Sequence, residues 1–267
     1  MIKIIAIDLD GTLLTDDKHI TAKTVAVIKK ASQAGIKVVL CTGRPLTGVA
    51  EHLRTLGLSG DDQYVITFNG ALVQTIEGRV LIHHTLNYND YVDLEALSRK
   101  LHNHFHVETE NHIYTANKNI SPYTIGESFY VRMGIRYRDV NDMPTSLKIS
   151  KAMFIDPPEK ITTLRKKLPQ TFLDKYTFVQ SEPYFLEALN KSASKGNALR
   201  DLTKRLDLLP ENAMAIGDQG NDLSMLQFAD TAVAMGNAIP EAKELASFVT
   251  STNEEDGVAK AIQKFAF

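Results

Sequence analysis

The chain opens on a near-continuous apolar run, Ile2, Ile4, Ile5, Ala6 and Ile7, that stops at two carboxylates, Asp8 and Asp10. A run with β-branched bias and no alternation reads as a strand buried on both faces, as in the centre of a parallel sheet. Residues 21 to 34 then change to helical spacing, with Val25, Ile28 and Ala31 on one stripe, Thr21 as N-cap and Gly35 as stop. Residues 36 to 41 return to a buried strand. Strand, helix, strand in that order predicts a right-handed βαβ unit. Pro45 opens a helix over 46 to 57, where its missing N–H costs nothing. A further strand at 64 to 68 ends in Asn69-Gly70.

After about residue 84 the pattern changes. Residues 89 to 101 form an amphipathic helix (Tyr91, Leu94, Leu97, Leu101), followed by strand-like runs at 105 to 109 and 113 to 116 across a Glu110-Asn111 turn. A helix at 159 to 168 precedes strands at 176 to 180 and 184 to 189 across Ser181-Glu182-Pro183. Each half reads helix, strand, strand, a weak duplication, with 148 to 156 as another strand and 117 to 147 carrying no clear pattern. This predicts a small α+β module inserted into the first fold. The first fold resumes with a helix carrying Leu199, Leu202 and Leu206, a strand at 213 to 217 that breaks into Asp218-Gln219-Gly220-Asn221-Asp222, and a helix with Leu223, Leu226 and Ala229. A strand at 231 to 235, a Pro240-initiated helix, a strand at 248 to 250 and a helix at 255 to 265 complete it. The expected fold class is α/β, a Rossmann-like parallel-sheet core of residues 1–84 and 190–267 with an insert of 85–189.

Composition narrows the classes. Hydrophobic content of 43%, charged content of 23% and a net charge of −2 over 267 residues are ordinary for a globular chain, so disordered and fibrous classes drop out. No dense basic patch appears, so nucleic acid is not an expected partner. Cys41 is the single cysteine; it excludes an internal disulfide, suits a reducing compartment, and reads as a small apolar core residue ending a strand. The first strand begins by residue 2, leaving no room for a signal peptide, and no apolar run approaches the roughly 20 residues of a spanning helix. The expectation is a cytoplasmic protein without a membrane partner.

Candidate chemistry gathers at strand ends. Two residues apart on an extended chain, Asp8 and Asp10 can project to one side at roughly 6.5 to 7 Å, where a hard cation such as magnesium removes their repulsion. Asp-x-Asp-Gly alone is equally compatible with a solvated turn. Thr42-Gly43-Arg44, ahead of a helix start, offers a hydroxyl and an N–H to an anion, although a plain strand-to-helix turn accounts for it too. Lys195 lies in the first turn of its helix, where a cation opposes the macrodipole unless an anion faces it. Histidines crowd the front of the insert: His83, His84, His102, His104, His106 and His112. Alternation at 102, 104 and 106 is compatible with metal ligation; the simpler reading puts His102 at a helix end and leaves His104 and His106 for a polar pocket, with Tyr114 and Tyr184 as further contributors.

Asp8/Asp10, Thr42, Lys195 and Asp218/Asn221/Asp222 thus fall on one edge of one sheet. The combination DLDGTLL, TGR, a lysine before a helix, and GDQGND resembles the haloacid dehalogenase superfamily of phosphohydrolases over the whole chain. The insert between TGR and the lysine resembles the α/β cap of the Cof-type branch (C2B-type), and CTGRPLTGV, ITFNGALVQ, HFHVET, EPYFLE and AIGDQGNDLSML are similar to the YidA sugar phosphatases. The resemblance implies Asp8 as the nucleophile that becomes an aspartyl phosphate, and Asp10 as general acid and then base. It implies Mg²⁺ on Asp8, the Asp10 carbonyl and Asp218. Thr42, the N–H groups of Leu9 and Gly43, Lys195 and Asn221 are implied on the phosphoryl oxygens, with Arg44 and Asn69 as further neighbours of substrate or cap. Asp222 is expected to orient Lys195 or a metal-bound water. The implied partner is a small phosphorylated substrate, acted on by a monomer or a cap-mediated homodimer. Two rival readings use the same aspartyl phosphate: a phosphomutase, whose cap usually follows the first motif and not TGR, and a receiver-like switch, which is about half this length.

Overall fold

The computed structural model describes all 267 residues. They divide into two compact units, 1–82 with 194–267, and 83–193; the sequence pattern had suggested crossings at 84/85 and 189/190. No helix is long and apolar enough to cross a membrane.

The first unit begins with β1 (Ile4–Asp8), α1 (Ala22–Gln33), β2 (Lys37–Cys41), α2 (Leu46–Leu56), β3 (Tyr64–Thr67), β4 (Leu72–Thr75) and β5 (Val80–His83). Every residue of β1 is buried, as an uninterrupted apolar run requires when a sheet is covered on both faces. Thr21 caps α1 by accepting from Thr24 N, satisfying one of the donors a helix start leaves open. The sheet has eight strands, and β4 runs antiparallel to β3. The hairpin formed by β4 and β5 was not anticipated from sequence.

The second unit holds α3 (Tyr88–Lys100), β6 (Phe105–Glu108), β7 (His112–Thr115), α4 (Pro122–Val131), β8 (Gly134–Tyr137), β9 (Lys151–Ile155), α5 (Pro158–Lys166), α6 (Gln170–Lys175), β10 (Tyr176–Glu182) and β11 (Phe185–Asn190). Its six-stranded sheet runs β10-β11-β9-β6-β7-β8. The suspected duplication does not extend to strand order. In the first half the first strand, β6, lies beside β9, whereas in the second half it is the second strand, β11.

The first unit is completed by α7 (Lys195–Arg205), β12 (Ala213–Gly217), α8 (Leu223–Phe228), β13 (Thr231–Ala234), α9 (Pro240–Leu245), β14 (Phe248–Val249) and α10 (Gly257–Phe265). Its sheet order is β14-β13-β12-β1-β2-β3-β4-β5. β1 lies between β12 and β2, parallel to both.

One face of the insert's sheet is apolar, with Phe105, Val107, Ala152, Phe154, Leu186 and Ala188 in a shared core with Leu94, Leu97, Ile161 and Leu164. The other face carries charge. Register places His106 and Glu108 of β6, Lys151 of β9 and Glu187 of β11 together there. Lys151 Nζ lies 3.5 Å from Glu108, 3.4 Å from Glu127 of α4 and 3.6 Å from Glu187. All are buried, so three carboxylates share one ammonium in a dry place. Burial pushes the Glu127 carboxyl up to about 7, against the pull of Lys151, and burial pushes Glu108 up as well.

Between the ordinary value of 4.5 and about 7, the folded chain holds a proton on Glu127 that the unfolded chain has released. Stability therefore falls as pH rises through that window and is level above it. Glu127→Gln, neutral at every pH, should lose this contribution, on the order of 3 kcal/mol across the window. Thermal unfolding midpoints of both proteins from pH 5 to 8 check it; equal pH slopes would remove Glu127 from the account.

Candidate active site

Three strands bring their carboxyl ends together. Asp8 lies opposite Cys41 in the β1/β2 register, and Ile7 lies opposite Ile216 in the β1/β12 register. Thr42 follows Cys41, and Asp218 lies two residues beyond Ile216, so both flank Asp8 at one edge. The chain builds outward from β1 through β2 and β3 on one side and from β12 through β13 and β14 on the other. Such a switch point leaves a crevice beyond the strand ends.

Lys195 is the first residue of α7, whose N-cap Ser194 accepts from Asn197 N. Its ammonium is buried and donates to Asp8 Oδ1 at 2.5 Å and to Asp222 Oδ1 at 2.6 Å. Those anions resolve the unfavourable placement of a lysine at a helix start. Asp222 is committed on both oxygens, because Oδ2 accepts from Asp218 N at 2.9 Å and Gln219 N at 3.0 Å. It orients Lys195 and closes the 218–222 loop. Thr12 Oγ1 donates to Asp218 Oδ1 at 2.7 Å. Asp8 and Asp218 each keep an oxygen outside these bonds.

The electrostatics are unbalanced. Asp8, Asp218 and Asp222 have carboxylate oxygens within 4.8 Å of one another, against the single ammonium of Lys195. Burial first, then the charge of Asp222, pushes the Asp8 carboxyl well above its ordinary range, with Lys195 pulling the other way. Asp218 is raised chiefly by burial, against its bond from Thr12. Hard oxygen donors with surplus negative charge fit a divalent cation of the Mg²⁺ kind.

Asp10 is placed differently. Its carboxylate is gripped by Arg44, Nε to Oδ2 at 3.0 Å and Nη2 to Oδ1 at 2.6 Å, and Lys18 Nζ adds a contact to Oδ1 at 3.0 Å. Burial pushes its pKa up, but the bonds and charge of Arg44, then of Lys18, outweigh that and hold it below the usual range. Asp10 is thus an anion in this arrangement. Thr42 is buried, and its Oγ1 accepts from Arg44 N at 3.1 Å, which leaves its own proton to donate. Asn221 Nδ2 donates to Asn69 Oδ1 at 3.1 Å. Leu9 is buried beside Asp8, and Gly43 lies between Thr42 and Arg44 at the same edge.

Thr12 and Lys18 are site residues that sequence reasoning missed. Thr12 lies inside the DGT run and was within reach of it. Lys18 carries no local signal, since its partner is fixed only by the loop after β1.

The histidines separate. His102 follows α3 at a left-handed φ of 56°. His104 Nδ1 bonds to Asp156 Oδ1 at 2.9 Å, and His83 Nε2 to Ser150 Oγ at 3.0 Å. His106 is fully buried between Thr124 and Met153, so it lines no open pocket: strand alternation sends it to the covered face. Tyr114 is half-buried, and Tyr184 stacks on Tyr123 at 5.0 Å. Cys41 is buried, and burial pushes its thiol well up, which makes it inert core.

A doubly flanked Asp-x-Asp at the switch point of a Rossmann-like sheet, with a buried lysine and an acidic loop beside it and an α/β insert after β5, defines a class of hydrolase. The chain belongs to the haloacid dehalogenase-like hydrolase family, whose model matches residues 5–262. A Streptococcus pyogenes serotype M6 protein, named provisionally as a phosphatase, is 46% identical over 99% of this chain and 98% of its own length. The 5-amino-6-(5-phospho-D-ribitylamino)uracil phosphatase YcsE of Bacillus subtilis is 33% identical over 98% of this chain and 95% of its own. Among solved structures, a haloacid dehalogenase-like hydrolase from Bacteroides thetaiotaomicron has a TM-score of 0.88 at 31% identity, covering 99% of both chains.

Replacing Lys195 with Met should destabilise the protein by about 3 to 5 kcal/mol, because two buried carboxylates lose their shared cation. Urea denaturation reads this directly, and a loss below about 1 kcal/mol would show that the ammonium is not what holds this edge together.

Proposed function

We propose that this chain is a Mg²⁺-dependent phosphomonoester hydrolase acting on sugar phosphates or similar small phosphometabolites through a phosphoaspartate on Asp8. The observation that carries the reading is the pair of acids two residues apart in opposite settings: Asp8 buried on Lys195 among carboxylates, Asp10 held by Arg44 and Lys18.

In this reading the phosphoryl oxygens lie against Lys195, the Thr42 hydroxyl, the Asn221 amide and the N–H groups of Leu9 and Gly43, so that charge is neutralised before any bond changes. Asp8, Asp218 and the backbone carbonyl of Asp10 would hold Mg²⁺, which supplies the positive charge that lets a carboxylate approach a phosphate dianion. An Asp8 oxygen attacks phosphorus, the bond to the leaving oxygen breaks, and that oxygen takes a proton from Asp10. Asp10, now a carboxylate, accepts a proton from water as the water oxygen attacks phosphorus, and Asp8 leaves as a free carboxylate with inorganic phosphate as product. Asp10 must hold a proton for the first step, while Arg44 holds it ionised in the free protein. A phosphate dianion offers Arg44 a second anion, and the shift of its guanidinium toward that anion weakens its hold on Asp10, which takes up a proton from solvent before the first step.

The YidA-like stretches favour sugar phosphates, and the likeness to the B. subtilis ribitylaminouracil phosphatase adds sugar-alcohol phosphates on a heterocycle to the candidates.

Phosphate release from sugar phosphates, p-nitrophenyl phosphate and flavin-pathway phosphates should require Mg²⁺. It should stop with EDTA and fall by about a thousandfold or more in Asp8→Asn. Isomerised phosphate esters in place of free phosphate would move the assignment to a mutase, and no turnover on any substrate would reject hydrolysis.

A further inference from the structure

The loop after β3 holds the one run of three consecutive left-handed residues in the first unit. Phe68, Asn69 and Gly70 follow one another at φ of 52°, 54° and 92°. A left-handed conformation is routine for Gly and tolerated by Asn, but it is a genuine outlier for a bulky aromatic. Such a turn persists only where its surroundings fix it from several sides. The surroundings here are the catalytic stretches.

Phe68 N donates to Arg44 O at 3.3 Å, and Asn69 N to Thr42 O at 2.9 Å, tying the turn to both ends of Thr42-Gly43-Arg44. Asn69 Oδ1 accepts from Asn221 Nδ2 at 3.1 Å, which fixes the plane of the Asn221 amide. Gly43 packs on the same carboxamide: a Cβ there would lie 3.1 Å from Asn69 Nδ2. On the far side, a Cβ at Gly70 would lie 2.1 Å from Ser194 O and 2.8 Å from Lys195 N, so the turn's backbone packs directly on the N-cap that delivers Lys195. Asn69 is itself buried. One three-residue turn thus touches the segments carrying Thr42, Gly43, Lys195 and Asn221, the groups assigned above to the phosphoryl oxygens.

We infer that the Phe68–Gly70 turn is the positioning element of the phosphate site, and that Asn69 acts through Asn221 and Gly43 without itself holding the phosphoryl group. The inference rests on the phosphate-site reading given above. Strain explains the residue choice: glycine at 69 would relax the backbone, so an asparagine kept in a left-handed turn is held there by what its carboxamide does.

The test separates a positioning role from a structural one. Asn69→Gly, Asn221→Ala and the double variant are compared for thermal stability, for kcat/KM with Mg²⁺, and for the affinity of inorganic phosphate measured by calorimetry. Asn69→Gly should change the unfolding midpoint little, since relief of the left-handed φ offsets the lost carboxamide bond, while weakening phosphate binding and kcat/KM about tenfold, the worth of one hydrogen bond to a charged ligand site. The double variant should be no weaker than Asn221→Ala by more than about twofold, because both changes remove one coupled unit. Additive losses, an unchanged Asn69→Gly, or a fall in activity that tracks a fall in stability would each overturn the inference. If Asn221→Ala weakens phosphate while Asn69→Gly does not, this inference alone fails. If the wild-type protein does not bind phosphate at all, the phosphate-site reading fails and takes the inference with it.

Discussion

The structure of the active edge depends on one buried ammonium. Lys195 is buried away from bulk solvent, so its charge is compensated by Asp8 and Asp222, and this single requirement links three distant stretches of sequence. β1 supplies Asp8, the loop after β12 supplies Asp222, and α7 is anchored with its N-terminus at the sheet edge. Breaking a buried pair on one side leaves an uncompensated charge, so the three segments stand or fall together. The lysine does not balance the site, however. Asp8, Asp218 and Asp222 offer carboxylate oxygens within 4.8 Å of one another, and a cation bound at this sheet edge would neutralise the surplus negative charge before a phosphate dianion could approach.

The insert meets the same problem and resolves it differently. Lys151 is also buried and shared by three carboxylates, but that cluster is covered by α4 and its surplus charge is met by protonation, Glu127 being pushed up to about 7. The contrast shows why burial of charge alone does not mark a catalytic site. What distinguishes Asp8 is its place at the end of a central strand, with the groups proposed to hold phosphate on the neighbouring strand ends.

Much of this was legible in the sequence where one residue pattern has one structural outcome. The uninterrupted apolar run of β1 can only be buried on both faces, so its terminal acids had to fall at the sheet edge. Thr21 and Gly35 mark the ends of α1 by local chemistry alone. Residues 117 to 147 were opaque because α4 breaks the rule that apolar residues face inward: Ile125 and Phe129 are exposed while Glu127 is buried on Lys151. β8 is a short edge strand with little burial to pattern it. Side-chain partners across the chain were legible only in part. The Lys195–Asp222 link was anticipated from the family resemblance, but the grip of Arg44 and Lys18 on Asp10 depends on loop paths that no local spacing encodes. His106 shows the reverse error, an alternation read as a pocket lining that strand pairing turned into the covered face.

In the mechanism proposed above, Asp8 carries the phosphoryl group during turnover. Mixing the protein with a labelled sugar phosphate and Mg²⁺, quenching in acid within milliseconds and mapping the label by peptide mass spectrometry shows whether it does. Phosphate is expected on the peptide containing Asp8, appearing and decaying within a single turnover. Label on any other residue, or substrate hydrolysed with none on the protein at any quench time, would contradict it.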